Sequence, residues 1–391
     1  MNSKVLTKID SIANYAISKK MTPGIQVVVA RKGKVIYQKS FGNHTYESSQ
    51  KVSNSDVYDI ASLTKIVATL PNVMQEFDKG HLTLETKLKA MLPMARNSNK
   101  ENATVLDMLT HQARFQPWIP FYKATLDSLN RPSTHFYRSE FSDEFPVHVA
   151  DKLYLRKNYN DTIVKTILDS ELLPKKQYKY SDFTFILFKE YLELHNKKSL
   201  EDLAHANFFE PLGANSIMYN PLRKMNANRI IPTENDNYFR HQIVQGYVHD
   251  MAAAMQGGIS GHAGLFANAL DVAKVMQMFL QKGSYGGRTY ISESTFNIFN
   301  TCYFCKDGNR RGVGFDKPQL GNEGPTCGCV SLTSFGHTGF TGTMTWADPE
   351  KEIVYVFLSN RTFPDSNATN KLSKENIREN IQKVIYEAIV E

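Results

Sequence analysis

Long apolar runs are missing from this sequence of 391 residues. No stretch approaches the roughly 20 consecutive apolar residues that a membrane-spanning helix needs. Residues 1–24 have the pattern of an amphipathic helix, with lysines between apolar residues, and they lack the apolar core of a signal peptide. We therefore predict no membrane span, and no signal peptide within the given chain.

Concentrated charge, internal repeats and low-complexity segments are absent as well. The formal net charge of +7 is spread along the chain, and the densest basic clusters are pairs such as Lys175-Lys176 and Arg310-Arg311. Nucleic-acid-binding proteins usually gather their basic residues in one patch or arm, so the sequence argues against a nucleic-acid partner. The content of 41% hydrophobic and 22% charged residues is ordinary for a soluble globular enzyme.

Two β-hairpins are predicted near opposite ends of the chain. The first joins two β-rich runs at Lys32-Gly33, and the second turns at Asp348-Pro349. Helical periodicity follows in residues 373–390. Strands at both ends with helical patterns between them predict an α/β fold, in which an antiparallel sheet built from both termini is flanked by helices.

The middle of the chain contains helical patches broken by aromatic and proline-rich loops. We assign residues 1–75 and 255–391 to an α/β lobe and residues 76–254 to an inserted, mainly helical lobe. Together they are predicted to form a single catalytic unit with its site in the cleft between the lobes.

A serine and a lysine, Ser62 and Lys65, lie one helical turn apart in an apolar run. At the start of a helix, Ser62 would have a base beside it and the positive end of the helix dipole beneath it, which suits a nucleophile. Ser48 and Lys51 repeat this spacing in a polar loop and are predicted to have no role. An isolated match is more typical of an N-cap serine beside a solvated lysine, so further motifs are needed.

Two further motifs supply a family resemblance. Tyr180-Ser181-Asp182 precedes an apolar helix, and His337-Thr338-Gly339 stands at the head of a C-terminal strand. The order Ser-x-x-Lys, Tyr-x-Asp, His-Thr-Gly resembles the penicillin-recognising serine hydrolases, especially their class C β-lactamase and DD-peptidase branch. The stretches TVLDMLTHQARF and FFEPLG extend the resemblance over nearly the whole chain. GHAGLF, FGHTGFTGT and LSNR resemble the β-lactamase-like module that follows a glycosidase module in some bacterial proteins.

The resemblance implies roles for individual residues. Ser62 would be the acyl-accepting nucleophile, and Lys65 and Tyr180 would share the removal and return of its proton. The backbone N–H groups of Ser62 and of Phe340, which follows Gly339, would hold the oxyanion. Thr338 would help to anchor a substrate carboxylate. No cofactor is implied for this chemistry.

Two positions depart from the family pattern. His337 stands where most β-lactamases carry lysine, which weakens the permanent positive charge near a substrate carboxylate. Asp182 stands where an amide is more common, and its carboxylate is expected to raise the pKa of Lys65. A charged Lys65 is then expected to lower the pKa of Tyr180 and make that phenol the proton acceptor. The class A deacylating glutamate has no counterpart, so efficient penicillin hydrolysis is not implied.

Several other residues have competing interpretations. Tyr159 begins a second Tyr-x-Asp match, but the helix and the Pro-Leu-Gly stretch of the family do not follow it, so Tyr180 is preferred. His111 and His262 are expected to cap or pack rather than to act in catalysis. Arg114 is expected on the surface, with the cleft as its alternative.

Three aromatic residues and four cysteines complete the candidates. The aromatic residues are Trp118, Phe121 and Tyr122. The sequence favours neither of two roles for them, which are lining the cleft and packing within a loop. The cysteines suit a structural zinc site, disulfides that pair the two halves of the cluster, or free thiols, and none is catalytic. They are Cys302, Cys305, Cys327 and Cys329.

The sequence therefore favours a serine hydrolase that forms an acyl-enzyme on Ser62. Its substrate would be a D-alanyl peptide, a small ester, an acylated sugar or a β-lactam-like compound. The alternative is a non-catalytic module that binds peptidoglycan or glycan fragments. The resemblance also implies a periplasmic or extracellular location and a glycosidase module as a fused or accompanying partner.

Overall fold

Two hairpins from opposite ends of the chain form the central sheet of the computed structural model, which describes residues 1–322 and 324–390. The strands are β1 Gly24–Arg31, β2 Lys34–Gly42, β3 Tyr58–Asp59, β4 Tyr137–Arg138, β5 Val147–Ala150, β6 Leu153–Leu155, β7 Met218–Tyr219, β8 Glu234–Asp236, β9 Gln242–Val244, β10 Leu265–Ala267, β11 Ser284–Tyr285, β12 Arg288–Thr289, β13 Phe335–Thr338, β14 Met344–Asp348 and β15 Ile353–Ser359.

The α-helices are α1 Ser3–Leu6, α2 Lys8–Ser18, α3 Leu70–Asp78, α4 Leu88–Met91, α5 Val105–Leu109, α6 Tyr159–Asp169, α7 Phe183–Asn196, α8 Leu200–Ala204, α9 Met251–Met255, α10 Ala269–Leu280, α11 Glu293–Asn300, α12 Lys371–Lys374 and α13 Ile377–Glu387. Two π-helical turns, Lys65–Thr69 and His205–Phe209, and several short 3₁₀ turns join them. Within the described ranges, we find no helix with both the length and the apolar character that crossing a bilayer requires.

The central sheet has the order β13-β14-β15-β1-β2, and all its neighbours are antiparallel. β1 pairs with β15 so that Val28 lies opposite Val356. Successive side chains of a strand point to opposite faces. Val27 accordingly packs with α2 and α13 on one face, and Val28 packs with α10 on the other. The predicted sheet, built from both ends and flanked by helices, is confirmed.

Helices α3 and α7 pack against each other beside this sheet and carry the candidate site at their N-terminal ends. Helix α7 is apolar on nearly all sides, with Phe185, Ile186, Leu187 and Phe188 all buried, which is typical of a helix enclosed by the core. The segment between residues 76 and 254 also contains two small sheets, β4-β6-β5 and β8-β9. The lobe boundaries stay a prediction.

The four cysteines form two short-range disulfides, Cys302–Cys305 and Cys327–Cys329. The predicted pairing between the two halves of the cluster is therefore wrong. The Cα atoms of Cys327 and Cys329 lie 5.2 Å apart, well within the usual span of a disulfide, so this bridge needs no distant partner. Disulfide sulfurs are not thiolates and do not fit zinc, so a zinc site here stays a prediction for a reduced chain.

Candidate active site

Ser62 lies in a tight turn rather than in a continuous α-helix. The 3₁₀ turn Ala61–Leu63 leads into the π-helical turn Lys65–Thr69, and only then does α3 begin. Ala61 has a positive φ of 47°, a conformation that is uncommon for a residue with a side chain. The predicted helix start is thus present but irregular, as is frequent at functional sites.

The buried carboxylate of Asp59 holds this turn in place. Its Oδ1 accepts a hydrogen bond from the Ala61 N–H at 2.8 Å, and its Oδ2 accepts one from the His249 N–H at 2.6 Å. Burial raises the pKa of Asp59, and the two backbone donors oppose that rise. Sequence reasoning missed Asp59, because its partner His249 is distant along the chain.

Lys65 is completely buried and its ammonium contacts three oxygen atoms. Its Nζ lies 2.7 Å from Asp182 Oδ1, 2.9 Å from Ser62 Oγ and 3.0 Å from the carbonyl oxygen of His262. Burial favours the neutral amine, but the charge of Asp182 and the neighbouring Tyr180 outweigh burial and raise the pKa of Lys65. The ammonium form therefore prevails at neutral pH, in the direction expected from the sequence.

Tyr180 also contacts Ser62, and its ring centre lies 5.2 Å from Lys65 Nζ. Its hydroxyl donates a hydrogen bond to Ser62 Oγ at 3.1 Å. His111 packs against the Tyr180 ring, with centroids 4.6 Å apart and the ring planes tilted by 39°, and it accepts the Ser181 N–H at 3.2 Å, so it positions the tyrosine segment.

The pKa of Tyr180 differs from the expected direction. Burial raises it, and although the charge of Lys65 lowers it, the net pKa lies above the usual value. The expectation of a lowered phenol pKa is therefore wrong, because it left out burial and the charge of Asp182. At rest, the tyrosine is a neutral donor to Ser62.

The segment that follows β13 packs against the turn that carries Ser62. The hydroxyls of Thr341 and Thr343 donate to the carbonyl oxygens of Asp59 and Ile60 at 2.9 and 3.2 Å. A Cβ on Gly339 would collide with the Thr343 hydroxyl, so only glycine permits this close approach. Among the described residues, no acceptor lies within hydrogen-bonding range of the N–H groups of Ser62 and Phe340, so both groups are available to an oxyanion.

His337 is buried and neutral. Its Nδ1 lies 2.7 Å from the carbonyl oxygen of Thr338, so Nδ1 carries the proton. Its Nε2 faces Arg311 Nη2 at 3.5 Å as an acceptor. Burial lowers the pKa of His337 well below its usual range, and the charges of Arg311 and Lys65 lower it further.

Arg311 supplies a permanent positive charge that His337 lacks. It is buried at 2% exposure, lies 3.4 Å from Asp316, and places its guanidinium 5.3 Å from the centre of the Tyr180 ring. In the sequence it is visible only as one half of the basic pair Arg310-Arg311. The cysteine-containing segment separates it from His337, so no local pattern indicates a role.

The remaining candidates separate into those that line the cleft and those that lie elsewhere. Trp118, Tyr122 and His262 line it, and His262 is held by Asp250 at 2.8 Å and by Ser260 at 2.8 Å. Away from the cleft lie Phe121 in the core, Arg114 bonded to the Leu173 carbonyl, Ser48 in a loop, and Tyr159 at another pocket.

The cleft has a volume of about 990 Å³ and extends from Ser62 past Phe340. Its lining also includes Arg361, Arg378 and Asn367. The guanidinium of Arg361 lies 4.5 Å from the centre of the Phe340 ring. Burial lowers the pKa of Arg361 to about 10, and the charge of Arg378 lowers it further. Arg361 and Arg378 therefore add positive charge to a cleft that Arg311 also lines.

Residues 13–376 match the Beta-lactamase family. The chain belongs to the beta-lactamase family. This match confirms the resemblance to penicillin-recognising serine hydrolases, and it supports a hydrolase. The nearer likeness to a module that follows a glycosidase stays a prediction, as do the location and the partners.

Relatives of this beta-lactamase family member carry several names. It is 27% identical to an N-acetylmuramyl-L-alanine amidase of Bacillus subtilis (strain 168), over 92% of this chain and 82% of that protein. It is 26% identical to a protein of Escherichia coli (strain K12) with a provisional name as a D-alanyl-D-alanine carboxypeptidase, over 87% of this chain and 78% of that protein.

The fold is also similar to that of solved structures. One is EstCE1, described as a hydrolase with promiscuous acyltransferase activity, with a TM-score of 0.71 and 17% identity. That similarity covers 98% of this chain and 99% of EstCE1. At this identity the similarity concerns the fold alone.

Proposed function

We propose that this protein is a serine hydrolase that forms an acyl-enzyme on Ser62, and that its substrate is an amide or ester with a carboxylate beside the scissile bond, such as a D-alanyl peptide. The observation that carries the proposal is the position of Ser62 Oγ, which lies 2.9 Å from Lys65 Nζ and 3.1 Å from the Tyr180 hydroxyl. Nucleophile, base and oxyanion donors then meet at one point of the cleft.

Proton transfer follows from the charges around Ser62. The Lys65–Tyr180 pair holds both of its protons at rest and must lose one to act as a base. Since Asp182 keeps the charge on Lys65, the active form is an ammonium beside a Tyr180 phenolate. The phenolate takes the Ser62 hydroxyl proton as Oγ attacks the carbonyl carbon, and it gives that proton to the leaving group. A water molecule then attacks the acyl carbon while the phenolate takes its proton. That proton returns to Ser62 Oγ as the bond to the acyl group breaks, and the carboxylic acid is released.

Recognition of a carboxylate rests on Arg311 and Thr338. Arg311 Nε makes no hydrogen bond among the described residues, although the side chain is buried and lines the cleft. A buried donor without an acceptor is costly, and a substrate carboxylate would satisfy it. The name of one relative, a D-alanyl-D-alanine carboxypeptidase, agrees with such a substrate.

The test is a search for the acyl-enzyme by intact-protein mass spectrometry. The protein is exposed separately to D-alanyl peptides, small esters, acetylated sugars and β-lactams, and any adduct is located by peptide mapping. We expect an adduct on Ser62 with at least one class and turnover with D-alanyl peptides or esters.

Ser62→Ala should abolish both adduct and turnover, while the loss of two hydrogen bonds costs only about 1–2 kcal/mol of stability. Ser48→Ala is the matched control, because Ser48 repeats the Ser-x-x-Lys spacing outside the cleft, and it should behave as wild type. Unchanged hydrolysis by Ser62→Ala would end the proposed mechanism. Saturable binding without any adduct or turnover would favour the non-catalytic module instead.

A further inference from the structure

Three potential metal ligands converge at a surface away from the cleft. They are the carboxylate of Glu76 on α3, the imidazole of His81 just after α3, and the imidazole of His195 near the end of α7. Glu76 Oε2 lies 2.7 Å from His81 Nδ1 and 3.2 Å from His195 Nε2, and the two nitrogens lie 3.1 Å apart. Three ligand atoms therefore form one small triangle.

The sides of this triangle match the spacing of ligands around a tetrahedral zinc ion. Bonds of about 2.0–2.1 Å to nitrogen and oxygen place two ligand atoms about 3.3 Å apart. Two of the observed separations, 3.1 and 3.2 Å, lie near that value, and the third, 2.7 Å between Glu76 Oε2 and His81 Nδ1, is shorter. One ion above the triangle would contact every ligand once the His81 imidazole moved slightly away from Glu76.

The same three atoms can be arranged in two ways. When both imidazoles are protonated at the facing nitrogens, His81 Nδ1 and His195 Nε2 both donate to Glu76 Oε2, which has two lone pairs. When both facing nitrogens are unprotonated, all three atoms direct lone pairs toward one point, which is the arrangement that a cation requires.

We propose that Glu76, His81 and His195 bind a zinc ion or a similar divalent transition metal. Two imidazoles and one carboxylate are a common ligand set for such ions. Lys79 Nζ contacts the other carboxylate oxygen, Glu76 Oε1, at 2.9 Å, which leaves Oε2 as the single ligand atom and fixes its orientation. The imidazoles are 44% and 39% exposed, so a water has access to the fourth position.

The position of the site suggests what the ion does. Helix α3 follows the turn that carries Ser62 and Lys65, and α7 follows Tyr180 and Asp182. A metal bound between the far ends of these two helices would tie together the two segments that form the candidate active site. The proposal does not depend on the identity of the substrate, and its test needs no turnover.

The experiment uses the full chain with both disulfides intact, so that no cysteine thiolate competes for the metal. After treatment with a chelator, the protein is titrated with Zn²⁺ by calorimetry, and with Co²⁺ by visible absorption. We expect saturation at one ion per chain, a tetrahedral Co²⁺ spectrum, and a melting temperature that rises with Zn²⁺.

His81→Ala and His195→Ala should each weaken Zn²⁺ binding by at least about a hundredfold, since even loss of an outer-shell partner costs 10- to 100-fold. His205→Ala is the control, because His205 lies 4.0 Å from one carboxylate, that of Glu210, and belongs to no such triangle within residues 1–322 and 324–390. Its Zn²⁺ affinity should equal that of wild type.

A measurement on the wild type covers the case in which a variant does not fold. Histidines are modified with diethyl pyrocarbonate, and the carbethoxylated peptides are measured by mass spectrometry. The modification should slow at His81 and His195 when Zn²⁺ is added and should not change at His205. Absence of saturable binding, unchanged affinity in both folded variants, or protection of other histidines only would overturn the proposal.

Discussion

Asp182 acts on both proton-bearing partners of Ser62. In Lys65 burial lowers the pKa but the charge of Asp182 raises it, and in Tyr180 burial and Asp182 raise the pKa together. Asp182→Asn removes one negative charge, so the pKa of either candidate base falls. The rising limb of the pH profile of kcat/KM should therefore move to lower pH, whichever of the two accepts the Ser62 proton.

Asp161→Asn is the control for this shift. Asp161 occupies the same place in the second Tyr-x-Asp match, is exposed on the first turn of α6, and should leave the profile unchanged. A limb that stays in place or moves to higher pH in Asp182→Asn would show that this carboxylate does not control the base.

Arg311 predicts a dependence on the charge of the substrate. Hydrogen bonds to charged groups contribute about 1.5–3 kcal/mol, so a substrate with an amidated terminal carboxylate should lose roughly 10- to 100-fold in kcat/KM. Arg311→Lys should lose most of this discrimination, because lysine lacks the planar pair of donors. A neutral ester without the carboxylate should react equally with both proteins. Equal rates for free and amidated substrates would remove Arg311 from recognition.

At the scale of elements, the turn that carries Ser62 depends on Asp59. Asparagine at this position would offer one acceptor oxygen to two backbone N–H groups and would point its own N–H group at the other. Asp59→Asn should cost about 1–3 kcal/mol of stability. It should also lower kcat more than it changes KM, because the turn holds the nucleophile rather than the substrate.

Asp56→Asn provides a matched control. Asp56 is equally buried and bonds to His44 and Arg229, so its loss should also destabilise the fold. Its kcat per folded molecule should not change. The same fall in kcat in both variants would mean that Asp59 acts only through general stability.

Local signals explain which elements were predictable. Each hairpin of the central sheet joins neighbouring runs with a turn sequence, so Lys32-Gly33 and Asp348-Pro349 were sufficient to place them. The irregular turn at Ser62 depends on a bond between Asp59 and the distant His249, for which no local pattern exists. Arg311 was missed for the same reason, since only folding brings it beside His337.

At the scale of the whole molecule, buried neutral histidines predict loss of stability in mild acid. Burial lowers the pKa of both His111 and His337 well below the unfolded value of about 6.5. Below pH 6.5 the unfolded chain gains protons that the folded chain does not. The free energy of unfolding should therefore fall as pH falls from 6.5, by up to about 2.7 kcal/mol per pH unit for the two groups.

Urea unfolding at pH 7.0, 6.0 and 5.5 measures this slope. Glu234, with a pKa lowered to about 2, contributes its own loss only below about pH 4.5, so the two windows are separate. The double variant His111→Gln, His337→Gln should be less stable at pH 7 but flatter between pH 7 and 5.5. A wild-type stability that is constant over this range would contradict the neutral state of these histidines.

The pairing of β1 with β15 has a consequence for synthesis on the ribosome. Val28 and its partner Val356 are about 330 residues apart. At roughly 5–20 residues per second, a nascent β1 is therefore exposed for about 15–65 s before its second neighbour is made. During that interval the β1–β2 hairpin presents an apolar, unpaired edge. We therefore expect the emerging chain to bind chaperones at this hairpin, and its yield to depend on how well they cover it.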